Sequence, residues 1–136
     1  GLVASGADDS TVKLWDLRSP DSARTVLCIC KCFDNQPVTS VAFSPVDGEH
    51  LFCTAGGKVM DFDLRTVGDR LLVTEPEEEE VNQLAVHPNS GDYLAAADDS
   101  GNIKVYNTRS RRLYKSLRNA HGNICNTVQF RPSASW

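Results

Sequence analysis

The chain has 136 residues, of which 40% are hydrophobic and 24% charged, and this is the composition of one globular domain with its own core. No apolar run approaches the roughly 20 residues that a membrane-spanning helix needs, so no membrane span is predicted. The formal net charge of −4 argues against a nucleic-acid partner, because contacts to phosphates need clustered lysine and arginine.

Short strands are predicted along the whole chain, each bounded by turn residues. They are, in chain order, residues 2–6, 11–16, 25–31, 38–45, 51–55, 58–63, 71–74, 81–88, 94–97, 102–107, 113–117 and 125–132. The prolines that end three of them, at positions 45, 88 and 132, lie 43 and then 44 residues apart. A period of this length, with four short strands in each repeat, is typical of the blades of a β-propeller.

The predicted fold is therefore all-β, a partial β-propeller of about three four-stranded antiparallel blades that does not close. One domain, residues 1–136, is expected. Within it, 1–32 are assigned to the last three strands of one blade, 33–74 to the second blade, 75–118 to the third, and 119–136 to the inner strand of a fourth. Both ends look cut, and an open ring exposes strand edges. The isolated chain is therefore expected to be marginally stable, aggregation-prone or paired with another copy.

Residues 2–16 resemble a WD repeat almost residue for residue, and looser copies of the pattern follow them. The resemblance implies a WD-repeat β-propeller. In that family each blade carries a histidine before the first strand, a hydroxyl in the second, an aspartate in the next turn and a tryptophan in the third. Such a set lets buried polar groups satisfy one another. The positions implied here as this structural blade motif are Ser5, Asp9, Trp15, Thr54, Asp99, Tyr106 and His121.

No catalytic, metal or cofactor site is predicted. The aspartate pairs at 8–9 and 98–99 recur at one place in two blades, so we interpret them as turn residues rather than catalytic carboxylates or calcium ligands. The cysteines at 28, 30 and 32 alternate along a strand and lack the Cys-x-x-Cys spacing of zinc sites. Five cysteines without a disulfide framework indicate reduced thiols and a cytoplasmic or nuclear protein.

Three arginines follow the third strands of successive blades at the same place: Arg18, Arg65 and Arg109. One interpretation is that each caps a turn and pairs with a nearby carboxylate; the other is binding, since arginine is a preferred interface charge. The segment Trp15-Asp16-Leu17-Arg18 resembles the motif by which WD-repeat substrate receptors dock onto the adaptor of a cullin-RING ubiquitin ligase. The implied protein-binding residues are Trp15, Asp16, Arg18, Arg65 and Arg109, and the implied function is a protein-interaction scaffold.

An acidic run at residues 75–80 is predicted on the opposite side of the blades. Such a run is typical of a solvated loop, and a partner that bound it would be basic, such as a histone tail. Two alternatives therefore stand beside the scaffold: a peptide or histone-tail reader that uses this acidic face, and a propeller enzyme whose catalytic groups would lie on other blades. Other proteins are the expected partners, with no nucleic acid, membrane or small-molecule substrate.

Overall fold

The computed structural model describes residues 1–18, 25–30, 32–66, 68–71 and 79–132. Within these ranges the chain is all-β, as predicted, and no helix is long and apolar enough to cross a membrane. The strands are β1 (Leu2–Gly6), β2 (Val12–Asp16), β3 (Thr25–Ile29), β4 (Val38–Phe43), β5 (His50–Ala55), β6 (Lys58–Asp63), β7 (Gly68–Leu71), β8 (Val81–Val86), β9 (Tyr93–Asp98), β10 (Ile103–Asn107) and β11 (Arg112–Leu117).

The strands form three antiparallel meanders in which each strand pairs with its neighbour in sequence. The first sheet has the order β1-β2-β3, the second β4-β5-β6-β7, and the third β8-β9-β10-β11. Short turns make these pairings possible; the β5–β6 hairpin turns on Gly56, whose φ of 59° lies in the left-handed region that glycine adopts readily. The prediction of four-stranded antiparallel sheets that do not close is confirmed, while the blade boundaries stay predictions.

Two predicted strands differ from the structure. The last strand of the second sheet covers residues 68–71, earlier than the predicted 71–74, and residues 72–74 lie outside the described ranges. Residues 125–132, predicted as an inner strand, are not a strand. The physical reason is that no described strand pairs with them, although their alternating sequence and their contacts with β8 fit a strand.

The second sheet buries both of its faces. Successive side chains of a strand point to opposite faces, so Leu51 and Cys53 of β5 pack toward the first sheet, where Val12 and Leu14 lie. Phe52, between them in sequence, packs into the core shared with the third sheet. This arrangement explains why residues 51–55 of β5 are a continuous run of apolar and small residues rather than an alternating one.

The turns of the sheets lie on two sides. In the second sheet the turns after β4 and β6 contact each other, since the Leu64 N–H donates to the Glu49 carbonyl over 2.8 Å. In the third sheet the turns after β8 and β10 meet in the same way, and the Thr108 N–H donates to the Asp92 carbonyl over the same distance. We call this the Arg-bearing side, because it carries the turns after β2, β6 and β10. On the opposite side, turns after the second strands meet the segments that lead into the inner strands, as where the Val81 N–H donates to the Gly56 carbonyl.

Candidate protein-binding face

The turn after β2 holds Arg18 in a defined position. The Asp16 Oδ1 accepts hydrogen bonds from the Arg18 backbone N–H at 2.9 Å and from its Nε at 3.1 Å, while Oδ2 accepts one from Nη2 at 3.1 Å. One carboxylate therefore closes the turn and also binds the guanidinium with both oxygens. The arginine side chain is nevertheless 80% exposed, so a partner can reach it.

The equivalent turns repeat the arginine but change its acid partners. Asp63 Oδ1 accepts from the Arg65 N–H at 3.0 Å and from Nε at 3.1 Å, and Asp47 of a neighbouring loop accepts from Nη2 at 3.2 Å. In the third sheet Asn107 replaces the aspartate; it still accepts the Arg109 N–H at 3.0 Å, but an amide does not attract a guanidinium as a carboxylate does. Arg109 pairs instead with Asp92 at 2.8 Å and is 81% exposed.

The electrostatics of these turns follow from their hydrogen bonds. The Arg18 side chain, with its backbone N–H, lowers the pKa of Asp16 to about 2, and Arg65 lowers the pKa of Asp63 in the same way. In return the pKa of each arginine is raised. Both partners are therefore charged at neutral pH. Because these pairs lie in water, their main effect is to orient each guanidinium rather than to stabilise the fold.

The predicted blade motif is assembled in part in the first sheet. The indole Nε1 of Trp15 donates to the Ser5 Oγ over 2.9 Å, so these two residues do meet. Asp9 instead accepts hydrogen bonds from the N–H and the Oγ1 of Thr11 within its own turn, at 3.1 and 2.6 Å. The structure thus joins the hydroxyl to the tryptophan and leaves the aspartate as a local turn residue.

Strand register corrects two of the predicted equivalences. Trp15 faces Val3 across its sheet as Phe62 faces Leu51, and two residues further along the second strand lie Ser5 and Cys53. Cys53 rather than Thr54 therefore occupies the position of Ser5, and Thr54 points to the other face of its sheet. Its Oγ1 donates to the Lys58 carbonyl over 2.9 Å.

The second correction concerns the turns after β1 and β9, whose residues align one position away from the predicted alignment. The Ser10 N–H donates to the Ala7 carbonyl as the Gly101 N–H donates to the Asp98 carbonyl, and both donors have positive φ, 65° and 80°. Asp99 is therefore equivalent to Asp8, one residue before the predicted Asp9. The cause is that the two turns carry their left-handed residue in the same place but distribute their aspartates differently.

The remaining motif positions are spread over the third sheet. Tyr106 is 1% exposed in the core between the second and third sheets. Asp99 accepts a hydrogen bond from Asn82 Nδ2 at 2.9 Å. His121 is exposed, and its backbone N–H donates to the Gly101 carbonyl over 3.1 Å. The structure therefore does not bring His121 to a tryptophan or to a hydroxyl among the described residues.

A charged cleft that the sequence did not reveal lies on the Arg-bearing side, between the second and third sheets. Its volume is about 390 Å³, and at its base the Asp61 carboxylate, 4% exposed, is 2.9 Å from Nδ1 of His50. Arg111 reaches across from the third sheet to within 3.9 Å of Asp61 Oδ2. A charged residue between Met60 and Phe62 in an apolar strand was the one available signal. No group of three metal-ligating side chains is found within the described ranges.

Two residues of the predicted acidic face lie within the described ranges. Glu79 and Glu80 are exposed, on the side opposite to the arginines, and the Glu80 carbonyl accepts the Asp99 N–H at 3.0 Å. Glu75 to Glu78 lie outside the described residues. Binding of a basic peptide there stays a prediction.

Successive antiparallel meanders packed face to face, each with a turn motif after its third strand, define a WD-repeat β-propeller. The family described as Nucleolar protein 10-like, N-terminal domain, matches residues 1–134, and the chain belongs to this β-propeller family.

Three relatives of known name match most of this chain in sequence. WD repeat-containing protein 53 homolog of Dictyostelium discoideum is 34% identical over 98% of this chain and 36% of its own length. Periodic tryptophan protein 2 homolog of the same organism is 31% identical over 98% of this chain and 15% of its own length. Target of rapamycin complex subunit LST8 of Mus musculus is 30% identical over 76% of this chain and 30% of its own length. The chain thus spans about a third or less of these relatives.

Proposed function

We propose that the chain is a non-catalytic protein-interaction scaffold of a cytoplasmic or nuclear protein, and that its Arg-bearing side docks an adaptor protein. The observation that carries this proposal is the turn after β2, where a guanidinium that is 80% exposed is held by both oxygens of Asp16. A relative is named as a subunit of a multiprotein complex, which supports a role in assembly.

The adaptor that we propose is that of a cullin-RING ubiquitin ligase, for which the chain would act as a substrate receptor. Trp15 and Arg18 are joined to the same strand end, and the Trp15 indole is anchored by Ser5. A planar fork of N–H donors suits carboxylates and backbone carbonyls of a partner better than a lysine does. Arg65 and Arg109 extend the same side, and we expect smaller contributions from them because neighbouring loops also bind them.

The test is a binding measurement between the chain and the purified adaptor, by biolayer interferometry. We expect Arg18→Ala to weaken binding by at least about tenfold, as loss of a central interface arginine does. Arg18→Lys should recover little of this loss, because a lysine keeps the charge but not the fork. Lys58→Ala is the matched control, since Lys58 is an exposed cation paired with Asp34 at 2.6 Å on the opposite side.

Two results would contradict the proposal. One is a folded wild-type chain that does not bind the adaptor; the other is equal loss of binding in Arg18→Ala and Lys58→Ala. If the wild type bound a histone-tail peptide instead, and Lys58→Ala or a change at Glu79 affected that binding, the acidic face would be the functional one.

A further inference from the structure

A carboxylate faces the third sheet at a position where the other two sheets carry an apolar residue. Asp61 precedes the aromatic residue of its third strand, and the residues at the same position of the first and third sheets are Leu14 and Val105. Leu14 packs into the core between the first and second sheets. Asp61 lies opposite Phe52, on the face that packs against the third sheet, and its side chain is 4% exposed. A buried charge is unfavourable unless other groups bind it, so this position indicates a polar site.

The arginine that reaches this carboxylate has an unfavourable backbone conformation. The φ of Arg111 is 59°, in the left-handed region that glycine adopts readily and that other residues adopt at a cost. Its N–H closes the turn by donating to the Asn107 carbonyl over 2.8 Å, a bond that glycine would make equally well. The reason for an arginine at this position therefore lies in its side chain, which crosses to the second sheet.

At the base of the charged cleft, an acceptor and a set of donors face each other across a gap. Asp61 Oδ1 lies 2.9 Å from His50 Nδ1, whereas Oδ2 lies 3.9 Å from Arg111 Nη2. The second distance is too long for a hydrogen bond, and within the described ranges the Arg111 guanidinium makes no other contact to an acceptor. A third group can therefore fill the gap and bind both sides.

The charges around the cleft disfavour a charged ligand. The second sheet contributes Asp47 and Asp61, and the third contributes Arg109 and Arg111, with Asp92 bound to Arg109 at 2.8 Å. The arginines would repel an ammonium group that approached the aspartates, and the aspartates would repel a carboxylate that approached the arginines. A neutral group with a donor beside an acceptor avoids both repulsions. A carboxamide is such a group, since its nitrogen donates and its oxygen accepts.

We propose that the charged cleft binds the carboxamide side chain of a glutamine or asparagine of a protein docked on the Arg-bearing side. The carboxamide nitrogen donates to Asp61 Oδ2, and the carboxamide oxygen accepts from the Arg111 guanidinium. The cleft volume of about 390 Å³ lies at the lower end of the range for ligand sites, so one side chain fits. The docked protein as the source of this side chain rests on the proposed function, whereas the chemistry of the cleft does not.

An NMR titration with capped amino acids tests the cleft without the adaptor. The probe is N-acetyl-glutamine N-methylamide, and the signals followed are those of the Arg111 Nε–H group and the His50 ring. We expect both to shift saturably, with a dissociation constant of about 1–10 mM, the weak affinity that a ligand of this size reaches. The capped glutamate and capped lysine analogues, which carry a charge on the side chain, should bind at least about tenfold more weakly.

Two variants each remove one side of the binding site. Arg111→Gly removes the donors and suits the left-handed turn, so this variant should fold as the wild type does. Asp61→Leu removes the acceptor and introduces the residue type that the first sheet has at this position. Each should weaken binding of the glutamine probe by at least about tenfold. Arg112→Ala is the matched control, because Arg112 is exposed next to the same turn and does not line the cleft; it should bind as the wild type does.

Three results would overturn the proposal. They are the absence of a saturable shift with the glutamine probe, tighter binding of either charged analogue, and unchanged glutamine affinity in Arg111→Gly, which decides alone if Asp61→Leu does not fold. Free glutamine carries the same carboxamide on a zwitterion and should bind no more tightly than the capped probe. Tighter binding of free glutamine would make the cleft a metabolite site and overturn its assignment to a docked protein. A chain that does not bind the adaptor contradicts the proposed function alone, since the titration does not involve the adaptor.

Discussion

Gly101 joins the third sheet to the segment that follows it, and Gly101→Ala should disrupt this connection. Its φ is 80°, and a Cβ built at this position would lie 2.5 Å from the Asn123 carbonyl oxygen and would also overlap the His121 carbonyl oxygen. Both obstacles are backbone atoms, which cannot rotate away as a side chain can. The substitution must therefore move residues 121–123 away from the turn.

Gly56 provides a matched control for the size of the effect. Its φ is 59°, but the atom nearest to an added Cβ is a side-chain carbon of Gln36 at 3.7 Å. Gly56→Ala should therefore cost only the left-handed conformation, about 1–2 kcal/mol. Gly101→Ala should cost this amount and also weaken the bonds of the His121 and Cys125 N–H groups, each worth about 0.5–1.5 kcal/mol. We expect a loss of about 3 kcal/mol at Gly101.

Urea unfolding followed by circular dichroism, at one fixed chain concentration, measures both losses of unfolding free energy. Hydrogen exchange adds a local readout: the Cys125 amide should exchange faster in Gly101→Ala and at the wild-type rate in Gly56→Ala. Equal destabilisation by the two variants, with unchanged Cys125 exchange, would show that the backbone contact at Gly101 contributes nothing beyond conformational strain.

Three further predictions concern charge and thiols. Arg18→Ala should raise the pKa of Asp16 from about 2 part of the way toward its ordinary 3.8, since the backbone donor remains; a carboxyl-carbon NMR titration would detect this. Because the folded pKa is the lower one, this group stabilises the fold above pH 3.8 and loses that effect as pH falls toward 2, and the loss should be smaller in the variant. Burial raises the pKa of Cys53, so iodoacetamide should label Cys28 and spare Cys53 until the chain unfolds, as mass spectrometry would show. Asp61→Ala should destabilise the chain by about 2 kcal/mol in urea unfolding, because it leaves Nδ1 of the half-buried His50 imidazole without its hydrogen-bond partner; an unchanged midpoint would mean that this pair contributes no net stability.

The repeat was readable from the sequence because each strand must satisfy the same local demands in every blade. An inner strand alternates apolar and polar residues and ends in a turn, and the third strand ends in an aromatic and an acid or amide. These patterns depend on neighbours within a few residues. The strand pairings and the Ser5–Trp15 contact could be predicted for this reason, since Ser5 lies two residues from Val3, the residue that faces Trp15, on the same side of a single hairpin.

The sequence did not predict which residues are equivalent in successive repeats, nor the contacts between different sheets. Thr54 looks like Ser5 in a sequence alignment, but side chains alternate across a strand, so a shift of one residue moves the hydroxyl to the other face. The cleft at Asp61 depends on His50 and on Arg111, which comes from a different sheet 50 residues away in the chain. No local pattern encodes such a meeting.

The three arginine turns differ in how much a partner would have to displace. At Arg65 a second carboxylate from the loop after β4 binds the guanidinium, and at Arg109 the acid belongs to the loop after β8. At Arg18 the described acid is Asp16 of the same turn, which holds Nε and Nη2. A partner that approaches Arg18 therefore meets a guanidinium already oriented by its own strand, and among the described residues it breaks no contact between loops. This difference ranks Arg18 first among the three, although all of them share one position in the repeat.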